Sequence, residues 1–165
     1  ALSRTEEFAL ILTGNVKFIG TTNVTDKISQ LVIGADGKLY AMGTPNNRLY
    51  ELNVNNGKAT LAHTFNLIQA SAGDLVADSS NKILFLKNNG ELYSINVNNN
   101  FSENFINNLP QNVGTYTGLT LFNGNYYGNT QNGTMYEFTL GPFRSNLVIG
   151  SGGGFSVGDA ASCPP

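Results

Sequence analysis

Leu49-Tyr50-Glu51-Leu52-Asn53-Val54-Asn55-Asn56-Gly57 alternates apolar and polar residues and then breaks at Asn-Asn-Gly. A period of two is the pattern of a half-buried strand. The break is turn chemistry, because Asn and Gly both accept positive φ. The stretch recurs as Leu92-Tyr93-Ser94-Ile95-Asn96-Val97-Asn98-Asn99-Asn100 and, more loosely, as Met135-Tyr136-Glu137-Phe138-Thr139-Leu140-Gly141. An earlier copy is Glu7-Phe8-Ala9-Leu10-Ile11-Leu12-Thr13-Gly14. With Phe8, Tyr50, Tyr93 and Tyr136 as anchors, the steps are 42, 43 and 43 residues.

Working outward, each copy sits third in a run of four strand-like segments. Leu31 to Ile33, Lys38 to Met42, Arg48 to Val54 and Lys58 to Phe65 form one run, separated by Asp36-Gly37, Thr44 to Asn47 and Asn55 to Gly57. Leu75 to Ala77, Lys82 to Leu86, Glu91 to Val97 and Phe101 to Leu109 repeat it 44 residues later at the opening strand. Leu119 to Leu121, Asn125 to Tyr127, Thr134 to Leu140 and Ser145 to Ile149 repeat it again, with Asn123-Gly124 and Gln131-Asn132-Gly133 as turns. Thr21 to Ser29 reads as a polar connection.

Four strands in a period of ~40–45 residues predict an all-β fold, a small β-propeller. Such a blade cannot bury both faces alone, and packing blades around an axis solves this. A helix is excluded because no window holds a 3.6 period between Gly and Asn breaks. A two-sheet sandwich would have short strands too, but does not explain the return of one aromatic and one turn. The strand count predicts about four blades of four antiparallel strands in a single domain over residues 1–165. Three blades are continuous, at about 31–70, 75–114 and 118–150. The fourth is composite, from 1–28 plus 154–163, because Phe8 to Leu12 and Val16 to Gly20 lack an inner partner. Phe155 to Gly158 is the expected inner strand, and Ala160 to Cys163 or Leu2 to Glu6 the expected second.

Composition narrows the partners. Charged residues make up 12% and the formal net charge is −2, with no basic patch, so nucleic acid is not expected. No apolar run reaches ~18 residues, so no membrane span is expected. The chain opens at Ala1 without a basic, apolar-cored leader, which is compatible with a removed secretion signal. The single cysteine, Cys163, permits no internal disulfide. Asn23-Val24-Thr25, Asn100-Phe101-Ser102 and Asn132-Gly133-Thr134 match the glycosylation acceptor pattern, which arises easily by chance in an Asn-rich chain.

Asp36-Gly37-Lys38-Leu39-Tyr40 and the stretch from Leu49 to Gly57 resemble the repeats of bacterial secreted and surface propellers. The resemblance runs from Phe8 to Ile149. It implies the fold and an extracellular setting, and leaves activity open, since propellers host enzymes, lectins, adhesins and scaffolds. The absence of Trp departs from the WD-repeat group. One cysteine departs from the collagenase-associated four-bladed propellers, whose end blades are usually joined by a disulfide.

Candidate chemistry is sparse. His63 and Cys163 are the only histidine and thiol, and a nucleophilic pair would also need proximity and an orienting group. No zinc-ligand spacing is present. Asp36, Asp74, Asp78 and Asp159 flank inner strands, where carboxylates and carbonyls are suited to Ca²⁺; no acidic loop motif accompanies them, so no cofactor is expected. Five Asp and six Glu can always be paired on paper as a glycosidase would need, so that signal is empty. Tyr116, Tyr126 and Tyr127, with Asn123, Asn125 and Asn129, form the densest aromatic and amide group and are candidates for sugar stacking. The opposing reading makes Tyr126 or Tyr127 a core residue in the blade position of Tyr40. The expected role is a non-catalytic structural or adhesive subunit acting through protein contacts or self-assembly, the alternative being a carbohydrate-binding module. Phe155, Val157 and Cys163 are the candidate assembly residues.

Overall fold

The computed structural model describes residues 7–12 and 15–150. Alternation and turn chemistry give fourteen β-strands among the described residues, with one short 3₁₀ turn at Val97–Asn99. Strands β1 (Glu7–Leu12) and β2 (Asn15–Thr21) form a two-stranded antiparallel sheet. The first four-stranded sheet follows: β3 (Lys27–Ile33), β4 (Leu39–Thr44), β5 (Arg48–Leu52) and β6 (Ala59–Thr64). The second is β7 (Gly73–Ala77), β8 (Lys82–Lys87), β9 (Glu91–Asn96) and β10 (Ser102–Asn108). The third is β11 (Tyr116–Phe122), β12 (Asn125–Thr130), β13 (Met135–Leu140) and β14 (Phe143–Ile149).

Strands pair in chain order within each sheet, and the opening strands are neighbours, β3 beside β7 and β7 beside β11. Opening strands side by side with sheets radiating from them is propeller geometry, and the chain is a small all-β propeller with four-stranded blades. One core joins the first and second sheets through Tyr40, Met42, Leu49, Phe85, Tyr93 and Ile95. Another joins the second and third through Leu84, Leu86, Leu92, Tyr116, Tyr126 and Phe138. Ala41, Tyr50 and Leu52 face the other way, with Val24 and Ile28 packed on them.

Tyr50, Tyr93 and Tyr136 all lie on third strands at one ladder position, paired outward with Leu61, Phe105 and Leu147. In each sheet the outer strand carries a bulge where it meets the residue before that tyrosine. In the β1–β2 pair the bulge falls between Phe8 and Ala9, so by this landmark Ala9, not Phe8, holds the anchor position. The inner strands also begin earlier than their apolar runs. Lys27 and Ile28 pair with Thr44 and Gly43, with Ser29 bulged out, so the expected polar connection ends at Asp26. The segment from Phe155 to Gly158, with Asp159 and Cys163, lies outside the described residues, as do Leu2 to Glu6 and the expected composite blade's second strand.

Gly20 and Gly57 show why small residues sit where β2 meets the β5–β6 turn. A Cβ on Gly20 would stand 2.0 Å from the Asn56 carbonyl oxygen, and one on Gly57 2.8 Å from the Gly20 carbonyl carbon.

Candidate functional site

The tyrosines singled out from the sequence do not form one platform. Tyr116 opens β11, is buried, and donates its hydroxyl to the Pro110 carbonyl at 2.9 Å. Tyr126 is buried against Phe138, with ring centroids 5.5 Å apart, and burial followed by the nearby Asp78 carboxylate pushes its phenol up to about 12. Tyr127, not Tyr126, is the ladder counterpart of Tyr40: it pairs with Thr120 and Glu137 as Tyr40 pairs with Val32 and Glu51. It lies on the opposite face of the sheet from Tyr126 and donates to Glu137 Oε1 at 3.0 Å, which Asn125 Nδ2 also reaches at 2.7 Å. Asn123, at φ +49, and Gly124, at φ +79, make the two-residue turn between β11 and β12. Asn129 is buried, with Nδ2 3.4 Å from Thr117 Oγ1.

The aspartates are turned to the fold's own donors. Asp36 accepts from Lys38 N–H and the Tyr40 hydroxyl; burial raises its pKa, but these bonds outweigh it and hold the carboxyl below its usual range. Asp74 accepts from Leu75 N–H and, across the sheet boundary, from Leu119 N–H at 2.7 Å. Asp78 accepts from Ser80 and Lys82. Among the described residues no three His, Cys, Asp or Glu side chains cluster as a metal site would require.

His63 stands within 3.2 Å of Glu103 Oε1, its ring stacked on Phe101 and edge-on to Phe65. Glu103 belongs to no sequence motif, yet it joins two sheets. Its carboxylate accepts the backbone N–H groups of Asn66, Leu67 and Ile68 at 3.0, 2.8 and 2.8 Å. Burial acts to raise its pKa, but the three N–H groups and His63 outweigh it, and the carboxyl is held below its usual range. Asp26 likewise carries no sequence signal. It is buried and accepts from Tyr50 and Asn46, with Arg48 at 3.8 Å.

Among the described residues the inner strands expose large apolar side chains at Leu31 and Ile33 on β3 and at Phe122, the last residue of β11. Leu31 and Ile33 pair with Ala41 and Leu39, so they share the face turned away from the second sheet. They are 46% and 63% exposed, whereas Leu75 and Leu119, each 44 residues on from its predecessor, are 5% and 1% exposed. At the second and third sheets the preceding sheet covers this position. At the first, the preceding sheet contributes only β1 and β2 among the described residues.

No protein-family model and no curated protein sequence matches the chain. Solved structures do. A structural-genomics protein of unknown function from Bacteroides thetaiotaomicron superposes with a TM-score of 0.65 at 17% identity, over 86% of this chain and 40% of that one. Virginiamycin B lyase from Staphylococcus aureus gives 0.63 at 14% identity, over 88% of this chain and 50% of that one. A chain of a nidogen/laminin complex gives 0.60 at 11% identity, over 87% and 57%. The chain thus spans about half the length of the structures it matches. At these identities the likeness is one of fold, and it is to β-propellers.

Proposed function

We propose that the chain is a non-catalytic structural or adhesive propeller, exported to a bacterial cell surface or extracellular matrix, that works through protein contacts. The uncovered pair Leu31 and Ile33 carries this reading. Two exposed apolar side chains on one face of an inner strand are a packing surface for the side chains of a strand that completes the preceding sheet. Covering two such side chains contributes roughly 1.5–3 kcal/mol each at full burial. Phe155-Ser156-Val157 has the matching alternation. Delivered within its own chain, at high effective concentration, it closes the ring. Delivered to a neighbour, it links copies head to tail. The chain in the nidogen/laminin complex is compatible with a propeller of this shape serving as a protein-binding part.

Sedimentation tests the proposal. The assembly reading expects delivery to a neighbour: the full chain then associates with rising concentration, and Leu31→Asn with Ile33→Asn abolishes this. A concentration-independent monomer overturns the assembly reading. Removing residues 154–165 is expected to lower stability, and a peptide of Phe155 to Pro165 to restore it. A truncated protein that melts and assembles like the full chain removes the strand's role.

A further inference from the structure

A cleft opens between the second and third sheets, at the end of the ring that bears the β8–β9 and β12–β13 turns. Its volume is about 440 Å³, and it adjoins a second cleft of about 380 Å³ that shares Asn112 and Gly114 with it. The described residues lining both are uncharged. Asn88, Gln111 and Asn112 line the first cleft, and none of their three carboxamides is hydrogen-bonded to a described residue. Tyr136 and Leu147 line the second.

The corresponding junction between the first and second sheets is tied by side chains to the backbone of its connecting loop. There Glu103 takes the N–H groups of Asn66, Leu67 and Ile68, and Asn47 Oδ1 takes that of Ala70 at 2.7 Å. Glu103 pairs with Ile95, and 43 residues on from Ile95 is Phe138, which pairs with Ser145. Ser145 is thus the ladder counterpart of Glu103, and it is too short to reach the loop. The junction keeps its shape without the acid. Leu109 N–H donates to the Gly90 carbonyl at 2.9 Å, Tyr116 N–H to that of Asn88 at 3.0 Å, and Asn132 Nδ2 to that of Val113 at 2.9 Å. The loop is therefore built before any ligand arrives, which reduces the ordering cost of binding.

We propose that this cleft binds a neutral oligosaccharide. A carboxamide both donates and accepts, which matches the adjacent hydroxyls of a sugar ring. Without a charged side chain the cleft offers nothing to offset a carboxylate or an ammonium group. The Tyr136 ring and Leu147 give apolar surface to the C–H face of a sugar. Two adjoining clefts suit a linear ligand of several units. The proposal moves carbohydrate binding away from Tyr116, Tyr126 and Tyr127, and stands apart from the assembly reading.

The test is calorimetric titration of the full chain with cellohexaose, mannohexaose, xylohexaose and hexa-N-acetylchitohexaose, with hexagalacturonate as the charged control. One neutral hexaose is expected to bind, and hexagalacturonate to bind at least about tenfold more weakly. Asn88→Ala and Gln111→Ala are each expected to weaken binding about fivefold, with an unchanged melting temperature. Ser145→Glu, which restores an acid to the junction, is expected to weaken it too. Failure of every neutral hexaose to bind at about 10 mM overturns the proposal. So does binding that survives the Asn88→Ala/Gln111→Ala double substitution, or that is lost instead with Tyr127→Phe. Sedimentation of the same samples reads the assembly proposal separately.

Discussion

The Tyr50 hydroxyl donates a 2.7 Å hydrogen bond to Oδ2 of Asp26, whose side chain has no solvent-exposed surface. The most regular residue of the repeat is thus tied to one outside it, since 44 residues after Asp26 stands Ala70. Gly43 makes room for the pair: a Cβ there would lie 2.7 Å from the Tyr50 ring and 2.9 Å from Asp26 Cβ. Burial first, and the Asp26 carboxylate with it, raises the Tyr50 phenol, against the opposing pull of Arg48.

Removing the acid leaves the buried Tyr50 hydroxyl and Asn46 amide without their acceptor. Asp26→Ala is expected to cost more than Tyr50→Phe, because it strands the buried Tyr50 hydroxyl, removes the acceptor of Asn46 and leaves a cavity. Tyr50→Phe, which leaves Asn46 and Arg48 in place, is expected to cost about 1–3 kcal/mol. Urea denaturation of both variants checks the order; equal losses would show that Tyr50 alone matters to Asp26.

Tyr93 and Tyr136 share a ladder position but not an environment. Tyr93 is 8% exposed within the core of the first two sheets, while Tyr136 is only partly buried and lines a cleft. Tyr93→Ala is expected to cost about 3–5 kcal/mol. Tyr136→Ala is expected to cost less than half of that. Comparable denaturation midpoints would mean that position in the repeat, rather than burial, sets the cost.

The strand pattern was legible because alternation is visible residue by residue. Leu49 to Gly57 announces its strand and turn without knowledge of any partner. The first residues of β3 were not legible, since Lys27 and Ser29 are polar and their pairing relies on a bulge. Asp26 and Glu103 were not legible for another reason. Each acts on groups 20 or more residues away in sequence, and neither recurs in the repeat. Telling Tyr126 from Tyr127 required the ladder, because a one-residue change of register exchanges the two faces. The cleft has no sequence signature, because what marks it is carboxamides without internal partners, which a sequence does not display.

Glu103 makes the junction of the first two sheets sensitive to acid. Its folded pKa lies below the ordinary carboxylate value of 4.5. The folded state therefore binds its proton less readily than the unfolded chain. The stabilisation is fully present above pH ~4.5 and is lost as pH falls through the lower folded pKa. Wild type is expected to lose melting temperature in that acid window faster than Glu103→Gln does. Parallel curves for the two proteins, in a series of melts from neutral pH downward, would remove Glu103 from this role.

Two glycines at φ +76 separate strain from contact. A Cβ on Gly37 would meet nothing within 4 Å, whereas one on Gly57 would meet the Gly20 backbone. Gly37→Ala is expected to cost about 1 kcal/mol, from backbone strain alone. Gly57→Ala is expected to cost measurably more and to loosen β2 from the first sheet, seen as faster exchange of the Ala59 amide that donates to Thr22.

Alternate residues of β8 enter different cores: Ile83 and Phe85 on one side, Leu84 and Leu86 on the other. The middle sheet is therefore held from both faces, and detaching either flanking sheet uncovers only one. Such an array behaves as a row of units coupled to nearest neighbours. Its amide protons will not exchange on one common clock. Those of β8 wait for the whole molecule to open, while those of the flanking sheets exchange through partial openings that leave the centre intact. Unfolding thus has a direction, from the flanks inward.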